Sequence, residues 1–290
     1  MGSQIGAEWA IAGHQVTYLV KRRDEAERRI GEAFALADSL DLWSPEAVST
    51  GQNRIAFAER VAELDPGTEL FLESITEVPE PKFALLKEAA NRLPAAILAS
   101  NTSSISIDIL GAQSGAPERM IGVHYWNPPL IMPLVEIISG EKTASEYRDL
   151  MVTELVKMGK RPMVVNRNVP GFVWNRLQFA LLREAVWIVE NGVATPEVVD
   201  EIVRDGLARR WRYTGPFATA ALGGQASFSR IADNLWPVIS SATSIEDLAQ
   251  WLIDDPKRLA QIKAARDAGL LNDLRNERHQ TDRTADAPHA

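Results

Sequence analysis

His124 and Glu136 are the two residues whose types and surroundings are best suited to chemistry. Each belongs to an apolar run that predicts a strand, 120–123 for the strand that His124 closes and 134–138 for the strand that contains Glu136. A buried carboxylate without a partner is costly, so a glutamate in an apolar strand is expected to face a partner. Paired with an imidazole, it orients the ring and favours the protonated form. The pair could therefore act as a general base that takes a proton from an alcohol, and a nicotinamide beside it would accept the hydride.

Ser103 and Asn175 are further polar residues that could contact a substrate oxygen. Ser103 lies in the polar turn 100–104, and Asn175 lies near the start of a predicted helix. Structural alternatives exist for all four residues. Serine and asparagine are common in turns and caps, a histidine at a strand end can be purely structural, and Glu136 could point to solvent from a strand buried on one face.

The composition excludes several classes of function. The 290-residue chain has a formal charge of −8, which argues against nucleic acid or an anionic membrane as its main partner. It contains no cysteine, which excludes disulfides, thiolate catalysis and cysteine-ligated metals, and no metal site is predicted. Without an apolar run of membrane-spanning length or a secretory signal, the expected location is the cytoplasm.

The elements that must position these residues change in character along the chain. Strands and helices alternate up to about residue 165, which predicts an α/β class with a wound sheet, and helices follow it. We therefore expect an α/β domain over 1–166 and a helical domain over 167–290, whose polar end is a disordered tail from about 276. The predicted strands are 15–20, 70–72, 96–99, 120–123 and 134–138, and the predicted helices include 2–12, 25–40, 80–93 and 176–190.

The N-terminal segment resembles part of a dinucleotide-binding unit. Such a unit needs a strand, a glycine-rich turn, and a helix whose N-terminus holds the pyrophosphate. Here the helix is present, Gly2 is interpreted as the third glycine, and the strand and first two glycines are missing. The alternative is an ordinary N-terminal helix. We expect a start placed too late or a truncated chain; if the chain does begin at Met1, weak cofactor binding and low stability are expected.

The position that usually distinguishes NAD from NADP is occupied by Val20. NAD-binding proteins carry an acidic residue near this strand end, which binds the ribose 2′-hydroxyl. In this chain Val20 is followed by Lys21, Arg22 and Arg23, which suits a 2′-phosphate and favours NADP over NAD. The alternative is that the basic residues are the solvated start of a helix.

As a set, these motifs resemble the L-3-hydroxyacyl-CoA dehydrogenase family, including its lambda-crystallin and carnitine dehydrogenase relatives. The resemblance runs from Gly2 to about Leu271 and includes the polar turn, the His-x-x-Asn-Pro stretch, the Pro-Leu-Val-Glu strand and the Gly-Phe-Val-x-Asn-Arg segment. It implies a Rossmann-like domain followed by a helical domain that makes a homodimer. By position it implies the following roles: His124 as base, Glu136 as its orienting partner, Ser103 on the substrate oxygen and nicotinamide, Asn175 on the substrate carbonyl, and Asn127, Glu77 and Lys82 along the cofactor's ribose and nicotinamide.

The substrate class is the least determined part of the resemblance. The segment 32–49 is apolar and acidic, which does not suit the polyphosphate of CoA, although Arg28 and Arg29 precede it. Arg209 and Arg212 lie in a stretch similar to the carnitine dehydrogenase branch, as does the segment 254–256, and an arginine there could clamp a free carboxylate. The alternative is that these arginines face solvent or form salt bridges.

These observations favour a 3-hydroxy acid or carnitine-like substrate over a 3-hydroxyacyl-CoA thioester. Two further alternatives remain open. The protein could be a catalytically idle, crystallin-like protein, or it could be a related enzyme that reduces a keto or imine group on another small acid.

Overall fold

A computed structural model of the chain describes residues 1–244, 253 and 255–285. It divides into two compact units, one formed by Met1–Val173 with the residues from Ala260 onward, and one formed by Trp174–Leu259. Within the described residues, none of the helices is both long enough and apolar enough to cross a membrane.

The first unit alternates strands and helices, as predicted. The predicted strands and helices are confirmed within a few residues at each end, whereas β2 and β7 were not predicted. In chain order the elements are α1 (Gly2–Ile11), β1 (Val16–Leu19), α2 (Arg23–Ser39), α3 (Pro45–Gln52), β2 (Ile55–Ala58), β3 (Leu70–Glu73), α4 (Pro79–Arg92), β4 (Ile97–Ser100), α5 (Ile107–Ser114), β5 (Met120–Tyr125), β6 (Leu134–Ser139), α6 (Ser145–Lys157) and β7 (Arg161–Val165).

The strands of this unit form two pieces of sheet. β1 and β2 pair in parallel, and a second piece has the order β3-β4-β5-β6-β7. Within the described residues, β1 and β3 each pair with a strand on one side only, and α1 is the first element of the chain. The described residues of this unit therefore form a Rossmann-like domain, with α1 as their first element.

The β5–β6 pair is antiparallel, whereas the neighbouring pairs β3–β4, β4–β5 and β6–β7 are parallel. Only the short segment 126–133 separates the two strands, and a parallel return needs a crossover of about a dozen residues or more. The reversal places His124 directly opposite Glu136 in the strand register.

The sheet is covered on both faces by apolar side chains. One cluster joins Leu86 of α4 and Leu110 of α5 to the sheet. Another joins Trp9 of α1 and Leu155 of α6 to Tyr125, whose hydroxyl accepts a hydrogen bond from Trp9 Nε1 at 3.0 Å. Coverage of both faces explains why most positions of the central strands are apolar.

The second unit is helical, as predicted. Gly192, after α7, has the left-handed conformation expected of a helix stop, with φ of 66°. The Thr195 side chain caps α8 by accepting from the backbone of Val198. The elements are α7 (Trp174–Glu190), α8 (Pro196–Glu201), a π-helical stretch (Ile202–Ala208), α9 (Arg209–Leu222) and α10 (Gln225–Leu235).

The division of the chain into units differs from the sequence prediction in two ways. The units divide at Val173–Trp174 rather than at 166–167. Helix α11 (Pro256–Ala285) also packs largely with the first unit, where Leu274 is buried and Arg275 donates to the carbonyl oxygen of Leu40 at 2.6 Å.

Residues 276–285, which the sequence predicts to begin a disordered tail, continue helix α11. These residues are polar but contain neither glycine nor proline, so nothing in them ends a helix. Residues 286–290, like Asp254 of the segment 254–256, lie outside the described residues.

Candidate active site

His124 and Glu136 form a buried pair across β5 and β6. The imidazole Nδ1 lies 2.7 Å from Glu136 Oε2, and the two residues are 6% and 2% exposed. The contact expected from the sequence is therefore present. It arises because the two residues oppose each other in an antiparallel register, where facing side chains point to the same side of the sheet.

The segment that leads to the second unit completes the surroundings of this pair. The Val173 backbone N–H donates to Glu136 Oε1 at 3.0 Å, and the Phe172 ring meets the imidazole edge-on with centroids 5.6 Å apart. Asn168 anchors the segment by donating to Ser106 Oγ at 2.8 Å and to Asp108 Oδ2 at 2.7 Å. Sequence reasoning missed the Val173 contact because a backbone N–H has no residue-type signal.

The orientation of the ring determines what this pair can do. Because Nδ1 faces the carboxylate, Nε2 is the ring nitrogen that can accept a proton from a bound molecule. The carboxylate then stabilises the imidazolium that forms. The tautomer is inferred from this contact.

The turn that carries Ser103 is organised by Glu77. Its Oε1 accepts from Thr102 Oγ1 at 2.6 Å, from the backbone N–H of Ser103 at 2.8 Å and of Ser104 at 2.9 Å, and from Ser104 Oγ at 2.9 Å. Burial acts to raise the pKa of Glu77, but these hydrogen bonds and the charge of Lys82 outweigh it and hold that pKa at about 2. Glu77 is therefore a carboxylate that holds a turn in shape.

Asn101 connects this turn to the strand of the histidine. Its Oδ1 accepts from the backbone N–H of Tyr125 at 2.8 Å, and its Nδ2 donates to Ser74 Oγ at 3.3 Å. Since β4 and β5 are parallel neighbours, the Ser103 turn and His124 lie at the same edge of the sheet.

Lys82 lies behind Glu77. Its Nζ contacts Glu73 Oε1 at 2.7 Å, Glu77 Oε2 at 3.2 Å and the carbonyl oxygen of Ile75 at 3.2 Å, and the residue is 1% exposed. The predicted direct contact of Lys82 with a cofactor does not fit this burial, because its ammonium group is occupied by protein oxygens. It would act on a bound cofactor through Glu77.

The N-terminal end of α1 suits a pyrophosphate. Its first turn contains no acidic residue and no side chain caps it, so the positive end of the helix dipole is not compensated there. An added Cβ at Gly6 would lie 2.4 Å from the Tyr18 hydroxyl, whereas one at Gly2 would only touch Ser74 at 3.6 Å. The tight helix–strand packing required of the third glycine therefore falls on Gly6, and assigning that role to Gly2 was wrong.

The two arginines that follow β1 each contact a glutamate. Arg22 contacts Glu25 at 2.7 Å, and Arg23 contacts Glu27 at 2.8 Å. Val20 follows β1 and is partly exposed. These ion pairs weaken the charge argument for NADP, because each guanidinium has a carboxylate partner in α2.

The remaining predicted residues lie in separate places. Asn127 is exposed in the segment after β5, next to the cis peptide bond that it forms with Pro128. Asn175 lies in the first turn of α7, and Arg209 and Arg212 are exposed in the first turn of α9, all in the second unit. The two arginines are three residues apart and so share a helix face.

Among the residues described, no group of three or more histidine and acidic side chains could hold a metal ion.

Comparison with known proteins gives a consistent result over most of the chain. Residues 1–169 match the sequence model of the 3-hydroxyacyl-CoA dehydrogenase NAD binding domain, and residues 171–253 match the C-terminal domain of the same family. A 5-formyl-3-hydroxy-2-methylpyridine 4-carboxylate 5-dehydrogenase of Mesorhizobium japonicum is 34% identical over 81% of this chain and 76% of its own length. An L-carnitine dehydrogenase of Streptomyces griseus subsp. griseus is 31% identical over 93% of this chain and 86% of its own length.

The fold agrees with a solved structure of the same type. The crystal structure of a 5-formyl-3-hydroxy-2-methylpyridine 4-carboxylic acid 5-dehydrogenase, described as an NAD+-dependent dismutase, superposes with a TM-score of 0.85 at 29% identity, over 95% of this chain and 94% of that one. The chain belongs to the 3-hydroxyacyl-CoA dehydrogenase family, in its carnitine dehydrogenase-like branch, and is an oxidoreductase of that NAD-dependent type.

Proposed function

We propose that this enzyme interconverts a hydroxyl and a carbonyl group on a small 3-hydroxy acid, with His124 as the catalytic base. The observation that carries the proposal is the 2.7 Å contact between His124 Nδ1 and Glu136 Oε2. In the oxidative direction, Nε2 takes the hydroxyl proton, the C–H bond breaks with its electron pair, and the carbonyl forms. A bound nicotinamide supplies the acceptor for that hydride.

Ser103 and Asn175 position the substrate in this proposal. The Ser103 hydroxyl donates to Glu77 Oε1 at 3.4 Å in the structure, and in this proposal it turns to donate to the reacting oxygen, from a turn that Glu77 keeps in shape. The Asn175 amide helps to hold the substrate carbonyl, as the family resemblance implies. Asn127 and Glu77 line the nicotinamide and its ribose, and the N-terminal end of α1, with Gly2, holds the pyrophosphate.

The cofactor proposed is NAD. The sequence favoured NADP through Val20 and the arginines that follow it, but Arg22 and Arg23 each have a glutamate partner within 3 Å in α2. A 2′-phosphate would have to compete with those carboxylates. Michaelis constants for NAD and NADP decide the matter: a clear preference for NADP would restore the sequence prediction.

The substrate proposed is a small free acid rather than a CoA thioester. The two relatives described above are named for carnitine and for a pyridine carboxylate, and neither compound is a thioester. Arg209 and Arg212 share one face of α9 and could bind a carboxylate bidentately. A 3-hydroxyacyl-CoA substrate is the second candidate, favoured by the family whose domain models the chain matches.

The experiment that tests this function follows the absorbance of reduced nicotinamide. Both cofactors are paired with carnitine, gulonate, simple 3-hydroxy acids and 3-hydroxybutyryl-CoA. Turnover of a free acid with a higher kcat/KM than that of the thioester is expected. Turnover of the thioester alone would overturn the substrate proposal, and no turnover of any compound would favour the idle, crystallin-like alternative.

A homodimer formed through the second unit is also proposed. The helices of the second unit expose large apolar side chains. Among them are Tyr213, Phe217, Leu222 and Trp236, each more than 70% exposed in the single chain. A soluble monomer rarely exposes so much apolar surface without a partner to cover it.

A further inference from the structure

Lys160, immediately before β7, is a buried lysine that the proposed chemistry does not use. Its Nζ lies 2.6 Å from Glu8 Oε1, 2.6 Å from the carbonyl oxygen of Pro129 and 3.0 Å from that of Met132. The side chains of Lys160 and Glu8 are 4% and 3% exposed. An ammonium group has three N–H donors, so each donor of Lys160 has one protein acceptor.

These acceptors belong to two elements that matter for the dinucleotide. Glu8 lies in α1, the helix whose N-terminal end is proposed to hold the pyrophosphate. Pro129 and Met132 lie in the segment 126–133, which follows His124 and carries Asn127. Lys160 therefore connects the pyrophosphate helix to the segment proposed to line the nicotinamide.

A gain in folding stability does not by itself explain the buried Lys160–Glu8 ion pair. Removing two charges from water is costly, and apolar residues of similar volume often replace a buried ion pair without loss of stability. An apolar pair would lack the directional hydrogen bonds that Lys160 makes. Lys160 holds two backbone carbonyl oxygens of one segment at defined points against α1, and the Tyr125 ring lies 5.9 Å from its Nζ.

We propose that Lys160 is a positioning residue for the dinucleotide: by binding Glu8 and the carbonyl oxygens of Pro129 and Met132, it sets the segment 126–133 relative to α1. It acts on cofactor binding and not on proton transfer, because the proton-transferring pair His124–Glu136 has its own contacts. The inference rests on the proposed function for the position of the dinucleotide.

The test uses the double variant Glu8→Met/Lys160→Met, which removes both charges together and so avoids leaving one buried charge unpaired. NADH is titrated by fluorescence, and amide hydrogen exchange is followed in 126–133 without cofactor. We expect the Kd for NADH to rise by about 10-fold or more, which corresponds to about 1.4 kcal/mol or more of lost binding free energy. Exchange in 126–133 should be faster, and kcat at saturating NADH should stay close to wild type.

Arg119→Met is the matched control. Arg119 is also a buried cation that donates to backbone carbonyl oxygens, those of Leu93 and Ala96, but it precedes β5, at the end of the strand away from His124. It should lower the urea midpoint without changing the Kd for NADH. If the double variant does not fold, Glu8→Gln weakens the same contact, and it should raise the Kd several-fold and speed exchange in 126–133.

The outcomes separate this inference from the proposed function. If the folded double variant, or Glu8→Gln where that variant is used, binds NADH as tightly as wild type, the proposed role of Lys160 is overturned. The proposed function is not affected by that result. An equal loss of affinity in Arg119→Met would also overturn the role of Lys160, because general destabilisation would then explain the effect. A wild-type protein that does not bind NADH would overturn the proposed function and this inference together.

Discussion

At the scale of single residues, the proposed chemistry depends on the contacts of the two carboxylate oxygens of Glu136. One faces His124 Nδ1 and the other accepts the Val173 N–H, so the carboxylate is held from two sides and holds the ring in turn. The pairing of His124 with Glu136 was predictable, because a glutamate in an otherwise apolar strand needs a partner. The Val173 contact was not, because a backbone group that folds back from the segment before α7 leaves no signal in residue type.

Glu136→Gln should lower kcat by about 10²- to 10⁴-fold, the usual size of a general acid–base contribution. The amide keeps the volume but no longer stabilises the imidazolium. Steady-state kinetics check kcat, and a titration with NADH, expected to give the wild-type Kd, serves as the control. A variant with wild-type kcat would contradict the orienting role of Glu136.

Glu77→Gln tests the carboxylate that organises the Ser103 turn. The pKa of Glu77 is about 2 in the folded protein, against about 4.3 for an unperturbed glutamate. A lowered pKa stabilises the fold fully above the unfolded value, and this contribution is lost as the pH falls from about 4.3 towards about 2. The stability difference between wild type and variant, from urea unfolding, should therefore be larger at neutral pH than at about pH 3. A pH-independent difference would contradict this account.

At the scale of elements, the packing of α1 against β1 and the reversal between β5 and β6 build the site. Gly6 lets the helix approach the Tyr18 hydroxyl, and the antiparallel register puts histidine and glutamate face to face. Period and composition predicted most strands but not β2 or β7, in each of which only the last residue is buried. The antiparallel direction was not predicted either, since alternating strands and helices favour parallel neighbours.

Gly6→Ala should destabilise the first unit by about 1–3 kcal/mol, the usual cost of adding a methyl group to a close contact. The new Cβ would lie 2.4 Å from the Tyr18 hydroxyl. Gly31→Ala in α2 is the control, because nothing lies within 4 Å of its added Cβ and it should be neutral or stabilising. Urea unfolding compares them; equal effects of the two substitutions would contradict the packing role of Gly6.

At the scale of the whole molecule, the proposed functional residues are distributed over the two units. The first contains the His124–Glu136 pair, the Ser103 turn and the α1 end, and the second contains Asn175, the α9 arginines and a large exposed apolar surface. The helical character of the second unit was predictable from its sequence. The grouping of most of α11 with the first unit was not, because it depends on contacts such as that of Arg275 with Leu40, far apart in the chain.

Leu222→Asp should shift the protein from dimer towards monomer. Leu222, at the end of α9 in the second unit, is 79% exposed in the single chain, so the substitution should cost the monomer little. Val156→Asp in α6 is the control, since it places the same charge on an exposed apolar position of the first unit. Sedimentation equilibrium measures the mass. A wild-type monomer, or a Leu222→Asp dimer as tight as wild type, would contradict dimerisation through this surface.

In the proposed reaction, the imidazole of His124, held by Glu136, takes the substrate proton as the hydride leaves. The most direct measurement is single-turnover reduction of the nicotinamide by wild type and by His124→Gln, with the Kd for NADH measured on both. We expect His124→Gln to bind NADH like wild type and to transfer hydride about 10²-fold more slowly or slower still. Hydride transfer at the wild-type rate in the variant would contradict it.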